Sequence, residues 1–170
     1  VDPVAGRVYV AEFVNNRVQV FDLDGNFIDK WGSTGLEDGQ FNHPIGVSID
    51  AEGNVYIGEN ANGSGARLQK FDPLGRWMET IGSNDGVPAR FTEIWGSAVD
   101  TLGNLYVADY GNDQIQVFAP DMTPLGVIEN VSGAGPFLHP TRLLITDDGT
   151  LYVADYGNHR ILKLQLPPSE

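Results

Sequence analysis

Apolar residues fall in short bursts along this chain, each fenced by glycine, asparagine, aspartate or proline. Val8-Tyr9-Val10-Ala11, Val55-Tyr56-Ile57 and Leu105-Tyr106-Val107-Ala108 are such bursts. None keeps a helical spacing through three turns, so the pattern predicts short strands joined by tight turns. Within the bursts the apolar residues are not confined to alternate positions. A strand that is apolar on both sides has to be covered on both faces.

The bursts are copies of one another. Gly6–Glu12, Gly53–Glu59, Gly103–Asp109 and Gly149–Asp155 align, and their tyrosines at 9, 56, 106 and 152 are 47, 50 and 46 residues apart. A polar turn and a second strand follow each: Arg17–Phe21, Arg67–Phe71, Gln114–Phe118 and Arg160–Leu164. Hairpin signals such as Asp22-Leu23-Asp24-Gly25 lead to third strands at Asn26–Trp31, Arg76–Ile81 and Pro124–Ile128. Longer glycine-bearing loops then lead to Ile45–Ile49, Trp95–Val99 and Thr141–Ile145. Four antiparallel strands per repeat, stacked between like neighbours, describe the blade of a β-propeller. The expected fold is all-β, a propeller of four-stranded antiparallel blades in one domain over 1–170, with repeats near 1–49, 50–99, 100–145 and 146–170. With strands lettered A to D from the inside out, the chain reads BCD, ABCD, ABCD, ABC, about three and a half blades.

Gly103–Phe118, Gly39–Val47 and Tyr152–Ile161 resemble the NHL repeat. The second repeat departs from that pattern by inserting residues around Gly63-Ser64-Gly65 and by Glu59 in place of aspartate. The resemblance implies a propeller, usually of six blades. It leaves function open, because members bind proteins, RNA or small molecules and some related propellers are lyases or lactonases.

Six blades at this period need on the order of 280 residues, so this chain does not close a ring alone. A partial set leaves apolar blade faces and strand edges in water. Three arrangements answer this: a fragment of a longer propeller, suggested by the missing Met and the start inside a blade; a homodimer; or a capped end. In the dimer, strands near Val8 and Val18 would face strands near Val153 and Ile161 of a second copy.

Charge narrows the partners. Ten Lys+Arg against 23 Asp+Glu give a net charge of −13. Without a basic patch such a chain repels phosphate backbones, so no nucleic-acid partner is expected. No apolar run is long enough for a helical membrane span, and no membrane partner is expected either. Cysteine is absent, which removes thiolate metal sites and cysteine nucleophiles. No Gly-x-Ser-x-Gly elbow or phosphate-cradling loop occurs. The compartment stays open, leaning to an extracellular or periplasmic one.

Blade alternation puts the loops after strands B and D on one face, where a ligand is expected. Aligning the loops after strand D on Phe41, Phe91 and Phe137 places His43, Glu93 and His139 at matching positions before the inner strands. His, Glu and His are ligand types for zinc or another divalent cation such as calcium, the metal reading; framework duty for the ring nitrogens is the other. Glu12, Glu59, Asp109 and Asp155 end the B strands and read as partners for turn N–H groups and for Arg17, Arg67, Gln114 and Arg160. Asn15, Asn112 and Asn158 in the same turns read as left-handed turn formers. Tyr110, Tyr156 and Phe13 after strand B, with Trp95 and Arg142 near the inner strands, are the candidates for a groove that holds a peptide or small ligand. Trp31 and Trp77 read as packing between blades. These residues favour a non-catalytic scaffold for a protein, peptide or small molecule, with no assured cofactor. The alternative is a metal-dependent lyase or hydrolase on His43, Glu93 and His139.

Overall fold

A computed structural model describes residues 1–60, 65–82 and 91–167. The insertion at Gly63 and Ser64 and most of the loop 82–94 lie outside them. The chain divides into two compact units, Val1–Arg90 and Phe91–Glu170.

The first unit holds two antiparallel sheets. One is β1 (Arg7–Glu12), β2 (Arg17–Asp22) and β3 (Phe27–Trp31), in that order. The other is β4 (Pro44–Ile49), β5 (Val55–Asn60), β6 (Ala66–Phe71) and β7 (Trp77–Ile81). The second unit repeats the design with β8 (Ile94–Val99), β9 (Leu105–Asp109), β10 (Gln114–Phe118) and β11 (Pro124–Ile128). A small hairpin, β12 (Asn130–Val131) with β13 (Gly135–Pro136), follows, and then the sheet β14 (Pro140–Ile145), β15 (Thr150–Asp155), β16 (Arg160–Gln165). All the lettered strands are present in the expected order. The hairpin β12–β13 is additional, closed by a bond from Ala134 N–H to the Val131 carbonyl with Gly133 and Gly135 at positive φ.

Turn chemistry explains two of the four recurring tyrosines. Asp50 accepts the N–H groups of Glu52 and Asn54 through one oxygen, and the Tyr56 hydroxyl at 3.0 Å through the other. Asp100 does the same for Leu102, Asn104 and, at 3.2 Å, the Tyr106 hydroxyl. Burial and the adjacent carboxylate push the Tyr106 phenol up to about 12. Gly53 and Gly103, at φ +82 and +81, close these two turns.

Blades stack face to face inside each unit. Tyr9, Val18 and Val20 pack with Val55, Ile57 and Phe71, and Phe41 is buried with them. Trp31 joins that layer, 4.6 Å from the Phe71 ring and 5.9 Å from Phe41, as expected of a tryptophan between blades. Trp77 differs: it stands exposed on its outer strand, its Nε1 donating to Thr80 Oγ1. In the second unit Tyr106 and Ile115 pack with Leu151, Val153 and Phe137. There the inner strands β8 and β14 come so close that a Cβ on Gly96 would lie 2.5 Å from the Thr141 carbonyl oxygen.

Coverage on both faces holds for β9, buried at every position, and for β5 up to Asn60. It does not hold for β1, where Val10 is exposed, or for β16, where Ile161, Lys163 and Gln165 alternate outward. Val18 and Val153, expected at a dimer junction, are buried in the cores of their own units, while Ile161 is 68% exposed. The outermost strands β3, β7 and β11 are mostly exposed, and each pairs with its neighbour through a register shift at the same place: Val20/Phe21, Lys70/Phe71 and Val117/Phe118. Such bulges bend and twist a strand.

Candidate functional site

The turns between strands B and C build one side of the expected face. After β9, Tyr110–Asn112 form a single 3-10 turn that ends on Asp113 in the left-handed region, φ 55. After β15, Tyr156–Asn158 do the same and end on His159, φ 51. In the first blade the left-handed residue is Asn16, φ 50. The expectation placed this conformation on Asn15, Asn112 and Asn158, one residue too early. Asn112 and Asn158 instead donate their side-chain amides to Asp109 and Asp155 at 2.7 and 2.9 Å.

The left-handed residues have a second task that the sequence did not disclose. Asn16 Oδ1 accepts the N–H of His43 at 2.8 Å, and Asp113 Oδ1 accepts that of His139 at 2.7 Å. Both histidines are themselves left-handed, at φ 61 and 55. Each imidazole lies against the aromatic of the same turn: Phe13 is 4.5 Å from His43, and Tyr110 is stacked on His139 at 4.4 Å and 14°. His139 Nδ1 sits 3.2 Å from the Tyr110 carbonyl and 3.2 Å from Asp113 Oδ1, which is the loop-carbonyl contact the framework reading asked for. His43 Nδ1 meets the Asn42 side chain instead, at 2.6 Å.

In the second unit five predicted residues come together. The Trp95 ring is 5.3 Å from Tyr110, so Trp95, Tyr110 and His139 form a continuous stack. Trp95 Nε1 donates to Glu93 Oε2 at 3.1 Å, and Arg142 Nη1 donates to the Trp95 carbonyl at 2.8 Å. Arg142 is exposed and has no carboxylate partner among the described residues, unlike Arg17, Arg67, Arg76 and Arg160. Phe13 belongs to the separate pair with His43. Tyr156, 62% exposed, has no ring partner among the described residues. No three His, Asp or Glu side chains among the described residues are grouped to hold a metal ion. A cavity of about 350 Å³ lies at the other end of the strands, lined by Asp100, Asp147, Asp148 and Gln165 among others, away from this stack.

The acids that end the B strands are framework. Glu59 accepts Arg67 Nε at 2.8 Å, Gln69 Nε2 at 2.6 Å and the Asn42 N–H at 2.7 Å. Asp109 takes the Thr92 N–H and Gln116, and Asp155 takes the Leu138 N–H and Arg160 Nε. Glu12 is held by Arg17 and Gln19. Burial pushes the Glu59 carboxyl up against these donors, whereas the Arg17 hydrogen bond holds Glu12 below the usual range.

The NHL repeat model matches residues 91–118 and 137–164, the second-unit segments that carry Tyr110 and Tyr156. The chain carries NHL repeats. Its blades are those of propellers of known structure. It is similar to a chain of the nidogen/laminin complex, with a TM-score of 0.74 at 16% identity, over 98% of this chain and 57% of that one. It is also similar to a streptogramin B lyase, TM-score 0.67 at 13% identity over 96% and 52%. A third is a catalytically inactive virginiamycin B lyase from Staphylococcus aureus with quinupristin, TM-score 0.65 at 14% identity over 96% and 53%. At these identities the likeness is one of fold. The chain spans about half the length of the solved propellers it matches. No curated protein matches it.

Proposed function

We propose that this NHL chain is a non-catalytic scaffold that binds a protein or peptide, or a small ligand, on the face made by the loops after strands B and D. The observation that carries the reading is the Trp95–Tyr110–His139 stack with Arg142 beside it. Rigid aromatic edges next to an exposed guanidinium free of a carboxylate among the described residues are what recognition surfaces use: apolar area at little entropy cost, and a forked donor for carbonyl or carboxylate oxygens. The recurrent acids, by contrast, are consumed by backbone and side-chain donors. Selection of displayed peptides on the intact chain tests the reading. Clones that bind the wild type and lose binding to Trp95→Ala/Arg142→Ala support it. A set of clones that binds both equally places recognition elsewhere.

The second reading is a metal-dependent lyase or hydrolase on His43, Glu93 and His139. Its support is that Nε2 of both histidines carries no partner among the described residues, leaving a lone pair for a cation. Elemental analysis decides. Stoichiometric zinc or calcium that disappears in His43→Ala/His139→Ala would replace the scaffold reading.

A further inference from the structure

Trp77 belongs neither to the blade core nor to the candidate site. It stands on β7, the outermost strand of the second sheet, 42% exposed. A bulge sets it there. Phe71 pairs with Trp77 and Lys70 with Glu79, so Met78 is the extra residue, 48% exposed beside the indole. Such bulges re-aim the side chains they carry. The indole is held in one orientation all the same. Trp77 Nε1 donates to Thr80 Oγ1 at 2.9 Å, and that hydroxyl donates to Asp38 Oδ1 at 2.9 Å. Gly39 of the same loop lies against the tryptophan, where a Cβ would come within 3.8 Å of that of Trp77. Gln69 fixes the loop in turn, accepting the Gly39 N–H at 2.9 Å and donating to the Gln40 carbonyl at 2.7 Å. An exposed ring already fixed before anything binds loses little entropy on binding.

Charge decides what this surface takes. Each cation of the sheet β4–β7 already has its own acid: Arg67 has Glu59, Lys70 has Asp50 and Arg76 has Asp72. The loop beside Trp77 adds two exposed acids, Glu37 and Asp38, and neither has a cation among the described residues. Thr80 occupies Asp38 Oδ1, while Oδ2 has no partner among those residues. A fixed indole and an uncompensated carboxylate thus meet at one place on the rim.

We propose that Trp77 and Asp38 form a docking site for an arginine side chain of a partner protein. The guanidinium lies flat on the indole and gives N–H groups to the free Asp38 oxygen, and Met78 receives the apolar stem. Arginine suits the site better than lysine, because its planar, weakly hydrated cation stacks on an aromatic face and donates sideways at once. A second copy of the chain is a poor occupant, since two chains of net charge −13 repel each other. The site lies in the first unit and does not depend on the function proposed for the Trp95 stack.

The test uses a short fluorescein-labelled glycine–arginine peptide, titrated with the intact chain and read by anisotropy. Saturable binding is expected, and the same peptide with citrulline for arginine should not bind. Trp77→Ala should weaken binding about five-fold. That change leaves the net charge untouched, so general attraction between a cationic peptide and an acidic chain survives it and specific docking does not. Asp38→Asn, an exposed change that keeps an acceptor for Thr80, should weaken binding about three-fold, with circular dichroism confirming the fold of both variants. Three outcomes would overturn the proposal: no saturable binding, a citrulline peptide that binds as well as its parent, or binding indifferent to both substitutions. A concentration-dependent dimer in light scattering that Trp77→Ala abolishes would give the surface to a second copy and overturn it as well.

Discussion

Glu12–Arg17 and Glu59–Arg67 are the same two residue types at the same place in consecutive blades. Each pair is supported by a glutamine two residues beyond the arginine. In the second blade a loop covers the pair, and desolvation raises the glutamate's proton affinity. In the first blade water reaches both partners, and the arginine's hydrogen bond lowers it. Local sequence therefore sets who bonds to whom, while the neighbouring element decides what the bond is worth.

That contrast can be broken by mutation. The largest effect is expected at Glu59→Ala, which strands a buried guanidinium and should cost about 3–5 kcal/mol in urea unfolding. Glu12→Ala should cost far less, because its arginine turns to water. Equal losses would mean that burial is not what separates the pairs. Next comes Gly96→Ala, whose new methyl meets backbone on β14 and should cost about 1–3 kcal/mol. Arg142 holds the matching place in the last blade with its side chain exposed, so Arg142→Ala should leave the unfolding midpoint nearly unmoved. A comparable loss at both positions would deny that contact with a neighbouring inner strand separates them.

Smaller effects sharpen the same comparison. Tyr110→Ala removes the stack on His139 and should cost about 0.5–1.5 kcal/mol, whereas Tyr156→Ala, with no ring to lose, should be close to silent in the same melts. The last expectation is a slope against pH. A raised Glu59 contributes stability that is fully present below the unfolded glutamate pKa of about 4.3 and is lost as pH rises through its higher folded value. A lowered Glu12 contributes stability present above about 4.3 and lost as pH falls through its lower folded value. Wild type minus Glu59→Gln and wild type minus Glu12→Gln, followed by urea unfolding from acid to neutral pH, should therefore slope in opposite directions. Slopes of one sign would show that the two carboxylates share an environment after all.

Much of the fold was legible because each blade restates the same local physics. Apolar bursts, a glycine-closed turn and a tyrosine recur at a readable period, and in two blades that tyrosine bonds back to the aspartate of the turn. The β12–β13 hairpin was not legible, since two-residue strands inside a glycine-bearing loop leave no alternation to detect. The candidate site was legible in its members and not in its contacts. Tyr110 meets His139 across 29 positions of sequence and a blade boundary, and nothing local to either residue announces the other. The left-handed turn residue was misplaced by one because its neighbours, Asn15 and Asn112, tolerate that backbone equally well. In two of the three copies the left-handed residue also accepts a histidine N–H from the next blade, a contact that no local pattern announces.

The register shift shared by β2–β3, β6–β7 and β10–β11 bears on how such a chain grows. An outermost strand offers its unpaired amides to any passing strand, and a bulge that twists it away from flatness spoils that invitation. Here the irregularity falls at the phenylalanine of strand C in three successive copies, so it travels within the duplicated unit itself. Every duplication thus delivers a rim with its own protection against fibril-like pairing. A lineage could lengthen or shorten the array by whole units without having to evolve solubility afresh at each new edge.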